Sequence, residues 1–212
     1  NNKTNGVTQR RWLAACNPQS SVDLEAPLQL DTLIINGLVY DGSDTPPRKS
    51  SIGIKDDRIS FVGDHKAIEL VAQRTVDAAG LLVVPGFIDP HTHSLGELES
   101  PKTKANINYQ TQGVTTVFVG NDGGGSYQVQ DLANTLEEAG IGTNVAFLVG
   151  HGAVRAAVMG EENRAPSAEE LAQMKLLVNG AMQEGALGLS SGLYYTPGNF
   201  AATDEVVELA SV

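Results

Sequence analysis

From residue 81 onward the chain repeats one rhythm: a short apolar run, a polar or glycine-rich stretch, then a helix-patterned segment. LLVVPGFIDPHTH opens it, and TTVFVGN (115–121), TNVAFLVGHG (143–152) and GALGLSSGL (185–193) are the later apolar runs. TTVFVGN is β-branched and almost free of polar residues, as expected of a strand covered on both faces. Helical spacing appears at 97–112, at 126–140 with Gly140 as its stop, and at 167–185. Ser167 followed by Glu170 predicts a capping box on the third of these. A last capped helix is expected from Thr203. Alternation at this spacing requires a parallel sheet with right-handed crossovers. The fold class is therefore α/β, as the first four βα units of a (β/α)8 TIM barrel. The structural alternative is a doubly wound open sheet. NDGGGS (121–126) lacks G-x-G-x-x-G spacing and follows the second strand, so it reads as a loop and not a phosphate cradle.

Ahead of the barrel units, residues 30–85 have hairpin patterning. DTLIINGLVYDG predicts a strand, a turn at Asn36–Gly37 and a return strand. SIGIKDDRISFVG repeats the design around Asp56–Asp57, and 75–86 adds one or two strands. This predicts a small β-sandwich module. Residues 1–29 lack periodicity and are expected to form a flexible extension, giving domains of 1–29, 30–85 and 86–212. Four units make half a barrel, and the fourth strand would carry an unpaired apolar edge. The chain is therefore expected to be truncated, the rest of the barrel coming from the same gene or another chain.

The formal charge of −11 argues against nucleic acid or an anionic membrane surface as partner. No apolar run approaches a membrane span, and one cysteine, Cys16, excludes an intrachain disulfide framework. LAAC (13–16) has the form of a lipoprotein cleavage box, but polar residues precede it. The default compartment is the cytoplasm, with the cell envelope as the alternative if that box is used.

GFIDPHTHS places His91 and His93 one residue apart at the end of an apolar run. On an extended segment both rings point the same way. Two neutral imidazoles on one face suit Zn²⁺ or another divalent ion. The alternative is a strand merely ended by two loop histidines. Asp89 shares their face and is expected to orient a ring. Ser190 and Ser191 sit in no nucleophile elbow. Arg155 is expected in a surface ion pair, the alternative being a bidentate contact to a substrate carboxylate, and His65 on solvated surface.

VVPGFIDPHTH resembles the first barrel strand of the amidohydrolase superfamily, in which a β module precedes the barrel. GVTTVFVGNDG (113–123) is similar to the D-aminoacylase pattern G-V-T-T-V-x-x-G-N-C-G. GALGLSSGLYYTPG (185–198) resembles that family's G-x-S-[ST]-G-L-x-Y-x-P-G stretch, and VGHGAVR (149–155) resembles a third segment. The resemblance implies metal-dependent hydrolysis of N-acyl-D-amino acids to a carboxylate and a D-amino acid, with one or two zinc ions. The alternatives are a cyclic-amide or dipeptide hydrolase, or a non-catalytic binder on the same scaffold. Asp122 stands where many relatives have a cysteine ligand, and it becomes the third candidate ligand beside His91 and His93, or else merely begins an Asp-Gly turn. The resemblance places His151, Ser191 and Tyr195 near substrate, the alternative for His151 being a loop histidine bonded to backbone. It also implies a general base and further histidine ligands beyond Val212.

Overall fold

The computed structural model describes residues 27–212. The LAAC segment and nearly all of the predicted 1–29 extension lie outside them. The chain divides into two compact units, Asn1–Gly86 and Phe87–Val212.

The described part of the first unit is a single five-stranded sheet, where a sandwich was expected. It comprises β1 (Leu28–Val39), β2 (Arg48–Lys55), β3 (Arg58–Gly63), β4 (Leu70–Asp77) and β5 (Leu82–Val83). The order is β3-β2-β1-β4, with β5 also paired to β1. The first two hairpin contacts are antiparallel, whereas β4 and β5 run parallel to β1. Val39 and Ile52 are buried among Ile34, Ile54, Ile59 and Val83. The predicted turn at Asn36–Gly37 is not a turn. β1 runs through it as a bulge, with Asn36 at φ 63°. A Cβ on Gly37 would stand 2.4 Å from Val83 Cγ2, so the glycine admits β5 rather than reversing the chain. His65 is half-buried, its Nδ1 2.8 Å from the hydroxyl of buried Ser51, and is not solvated surface.

The run 81–90 is likewise not one strand. Pro85 has no N–H for a ladder. The run accordingly splits, Leu82–Val83 joining the first sheet and β6 (Phe87–Asp89) opening the second unit.

In the second unit, β6, β7 (Val114–Val119) and β8 (Asn144–Phe147) form one parallel sheet, and β9 (Val149–Gly150) pairs in parallel with β10 (Leu189–Ser190). Within each sheet every strand pairs with the one before it in sequence, β7 with β6, β8 with β7 and β10 with β9. The order never reverses, which is the barrel pattern and not the doubly wound one. The helices are α1 (Leu95–Glu99), α2 (Ile107–Gln110), α3 (Val129–Ala139), α4 (His151–Met159), α5 (Ala168–Gln183) and α6 (Thr203–Ala210). Leu98 from α1, Leu136 from α3, and Val117 and Val119 from β7 make one buried cluster. The second cluster joins Val149, Val154, Met174, Val178, Ala181 and Leu209. The spacing Met174, Val178, Ala181 is the inward stripe of α5, and each large side chain so buried contributes about 1.5–3 kcal/mol. The Ser167–Glu170 capping box is formed in full.

Several expected elements are shorter. The helix over 97–112 is two short helices separated by left-handed Asn106, whose buried amide donates to Thr143 Oγ1 at 3.1 Å. The third strand breaks at Leu148, and His151 already begins α4. The fourth shrinks to two residues. Beyond them Gly192 lies so close to Asp122 that a Cβ there would meet its carbonyl oxygen at 2.2 Å. Finally, α6 has no side-chain cap, because Thr203 is its first helical residue and Ala202 holds the cap position. No helix among the described residues is long and apolar enough to cross a membrane.

Candidate metal centre

Beyond β6 the chain alternates: His91 and His93 are exposed, Thr92 and Ser94 buried. Thr92 is the anchor. Its N–H and its hydroxyl both donate to Phe118 O on β7, at 3.2 and 2.6 Å. Its carbonyl accepts from Asn121 Nδ2 at 2.9 Å. Pinning Thr92 inward turns both neighbouring imidazoles outward. Asp89 Oδ1 accepts the His91 backbone N–H at 3.1 Å. Its contact is thus with the main chain, where a ring nitrogen was expected, and it fixes the turn that carries His91.

Asp122 follows β7 at φ 56°, a left-handed conformation that aspartate tolerates better than most residues. The next residue is held on two sides. Gly123 N–H donates to Ser190 Oγ at 3.0 Å, and Gly123 O accepts from Ala153 N at 3.1 Å. The end of β10 and the first turn of α4 thereby set the direction of the Asp122 carboxylate. Its Oδ2 lies 3.2 Å from His93 Nε2 and 3.6 Å from His91 Nε2. The two imidazoles meet edge-on, with centroids 5.5 Å apart. Asp122 begins the Asp-Gly turn and also faces both histidines, so the two alternatives for it are not exclusive.

One ligand atom from each of His91, His93 and Asp122 lies within 4.8 Å of the others. Two imidazole nitrogens and one carboxylate oxygen are a donor set for a borderline divalent ion such as Zn²⁺. The side chains of His91 and His93 are 59% and 71% exposed, so a ligand can reach them directly. The cluster sits at the C-terminal ends of β6 and β7, where barrel enzymes carry their chemistry.

His151 is fully buried. Its Nδ1 lies 3.1 Å from Ser191 Oγ and its Nε2 3.0 Å from Glu205 Oε1. The other Glu205 oxygen accepts from Arg155 Nη1. Arg155, expected at the surface, is also fully buried, and its Nη2 donates to the carbonyls of Arg164 at 2.6 Å and Glu162 at 3.2 Å. Ser191 is exposed at the outer end of this chain of contacts. Tyr195 is 54% exposed and stacks edge-on with Tyr194 at 5.4 Å. Ser190, inward of Ser191, bonds backbone only. Glu205 is the residue that sequence reasoning missed. Its signal was its place four residues before Leu209, on the buried stripe of α6.

Residues 74–210 match the amidohydrolase family. A D-aminoacylase of Alcaligenes xylosoxydans xylosoxydans is 37% identical over 207 residues, covering 84% of this chain and 41% of that protein. A solved D-aminoacylase, studied for its binuclear metal centre with one-metal activation and second-metal attenuation, superposes with TM-score 0.78 at 35% identity over 85% of this chain. The N-acyl-D-glutamate deacylase of Bordetella bronchiseptica, solved with zinc and a phosphonate mimic of the tetrahedral intermediate, gives 0.78 at 33% identity over 86%. This chain spans about two-fifths of each, 41% and 42%.

Proposed function

Since this chain belongs to the amidohydrolase family, we propose that it forms the N-terminal part of a metal-dependent deacylase that hydrolyses N-acyl-D-amino acids to a carboxylate and a free D-amino acid. The observation that carries this is the convergence of His91, His93 and Asp122 at the ends of adjacent parallel strands. The similarity to D-aminoacylase and N-acyl-D-glutamate deacylase supports the substrate class. These three side chains would hold one zinc ion, or contribute to two. When bound, the ion supplies Lewis acidity to the scissile carbonyl and lowers the pKa of water towards neutrality.

The remaining roles belong to the chain. Asp122 supplies the negative charge that draws a cation to the mouth of the sheet, and Thr92 and Asp89 hold the two histidines in place. Tyr195 and Ser191 offer hydroxyls for the acyl amino acid. A common site holds three protein ligands and an open position, and it needs a group to carry the proton to the leaving nitrogen. That group, with the later ligands, is proposed to come from polypeptide outside residues 1–212.

The test is amine release from paired N-acyl-D- and N-acyl-L-amino acids by the protein carrying the whole barrel, with zinc and after chelation. Zinc-dependent release confined to the D series is expected. Release that survives both chelation and Asp122→Asn would remove the proposal.

A further inference from the structure

We infer that Ser191 is a fixed hydrogen-bond acceptor, its proton locked inward by the buried Arg155–Glu205–His151 relay, and that it receives the amide N–H of the acyl amino acid. The second half of this rests on the deacylase proposal; the first half does not. The steps follow from donor counting. Arg155 has only donors, and Glu205, paired with it, is a carboxylate with only acceptors. The two charges cancel where both side chains are almost wholly buried. An imidazolium at His151 would add a net buried charge, which is costly without a second anion. His151 is therefore neutral, and its contact with Glu205 Oε1 at 3.0 Å puts the single ring proton on Nε2. Nδ1 is then a bare lone pair. The Ser191 hydroxyl 3.1 Å away must donate to it. Its oxygen lone pairs remain for the exposed side, and a ligand must meet them with a donor.

An N-acyl-D-amino acid has one such donor at its scissile bond, the amide N–H; the carbonyl and carboxylate oxygens only accept. Ser191 thus discriminates for an amide and against an ester of the same shape. His151 and Glu205 are positioning residues acting through it. Ser191 is adjacent to Gly192, which packs on the Asp122 backbone, so the acceptor and the metal cluster lie on two segments in direct contact.

Two measurements test this. Long-range ¹H–¹⁵N correlation of the histidine rings in the 212-residue chain should show one neutral imidazole protonated on Nε2, whose Nδ1 signal moves in Ser191→Ala. A ring protonated on both nitrogens, a proton on Nδ1, or no signal that responds to Ser191→Ala would overturn the locked acceptor, whatever the protein's activity. In the protein carrying the whole barrel, competitive binding of an N-acyl-D-amino acid and its ester isostere, read as dissociation constants and not as turnover, should favour the amide by about tenfold, the value of one hydrogen bond. Ser191→Ala should erase the preference. A preference unchanged in Ser191→Ala would overturn the substrate contact, while loss of all metal-dependent deacylation in the unmodified protein would instead refute the function on which that contact rests.

Discussion

Two clusters of histidine and carboxylate lie within the second unit, and they are opposites. His91, His93 and Asp122 sit at strand ends with exposed rings and pair only with one another among the described residues. His151, Glu205 and Arg155 are buried, and both carboxylate oxygens of Glu205 have partners inside the protein. The first cluster is incomplete without a cation. The second is electrically complete, although the buried Nε of Arg155 has no acceptor. Residue type alone therefore says little about role, and the decisive quantity is how much of each group's bonding capacity the fold has already used.

The largest effect that separates them is on stability. Removing one partner of a buried pair leaves an uncompensated charge, at a cost of about 3–5 kcal/mol. Glu205→Ala strands both Arg155 and His151, so a loss of that size is expected in urea unfolding of the chain. Asp122→Asn keeps a side chain that accepts the left-handed backbone and removes a half-buried charge that faces only two solvent-exposed imidazoles. Its expected effect is within about 0.5 kcal/mol. Equal losses in the two variants would erase the distinction drawn here.

Metal should act the other way round. An ion that binds the folded chain and not the unfolded one stabilises it by about 2.7 kcal/mol at a hundredfold excess over Kd. Zinc is expected to raise the melting temperature of the unmodified chain and chelator to reverse the rise. In Asp122→Asn the rise should shrink, because a carboxylate ligand becomes a neutral amide. A cysteine at the same position should bind zinc more tightly, since thiolate is the softer ligand. A zinc response untouched by Asp122→Asn would show that the ion lies elsewhere.

Much of this was legible in the chain, and the illegible parts share a cause. The parallel units showed because β-branched runs and helical stripes are local patterns. His91 and His93 were visible because alternation puts i and i+2 on one side, and Asp122 because the Gly-Asn-Asp-Gly stretch follows a buried strand. Glu205 was hidden because its partners, His151 and Arg155, lie 54 and 50 residues away. No local pattern records which charged residue will be covered. The Asn36–Gly37 bulge was misread as a turn for the same reason: the strand that requires the glycine, β5, arrives only at Leu82. Leu148 and Gly192 cut strands short through close approach of other loops, which again is a property of the assembled fold.

The smallest expected effect concerns a third carboxylate, Glu170, which belongs to neither cluster. It lies at the surface, yet the protein satisfies it: both Arg164 terminal nitrogens donate to it at 2.7 Å, and so does the Ser167 backbone N–H. The Arg164 bonds first, and the Ser167 amide second, hold its pKa down to about 2 from 4.5. A carboxyl whose folded pKa is depressed stabilises the fold above its unfolded value and loses that contribution as pH falls. The window here runs from 4.5 down to about 2. Because Glu170 and Arg164 lie at the surface, solvent screens the pair and the acid-labile part should be modest. Ser167→Ala removes the cap oxygen, at about 1 kcal/mol, and should leave the acid dependence largely in place, since Arg164 is the main cause. Glu170→Gln should instead flatten stability across that window, as read from urea midpoints on either side of it. Zinc should alter neither result, for a surface carboxylate already bonded by its own chain has no capacity left for a cation. A zinc-dependent shift of the Glu170 window would mean that surface position, and not prior satisfaction, decides which carboxylates of this protein bind metal.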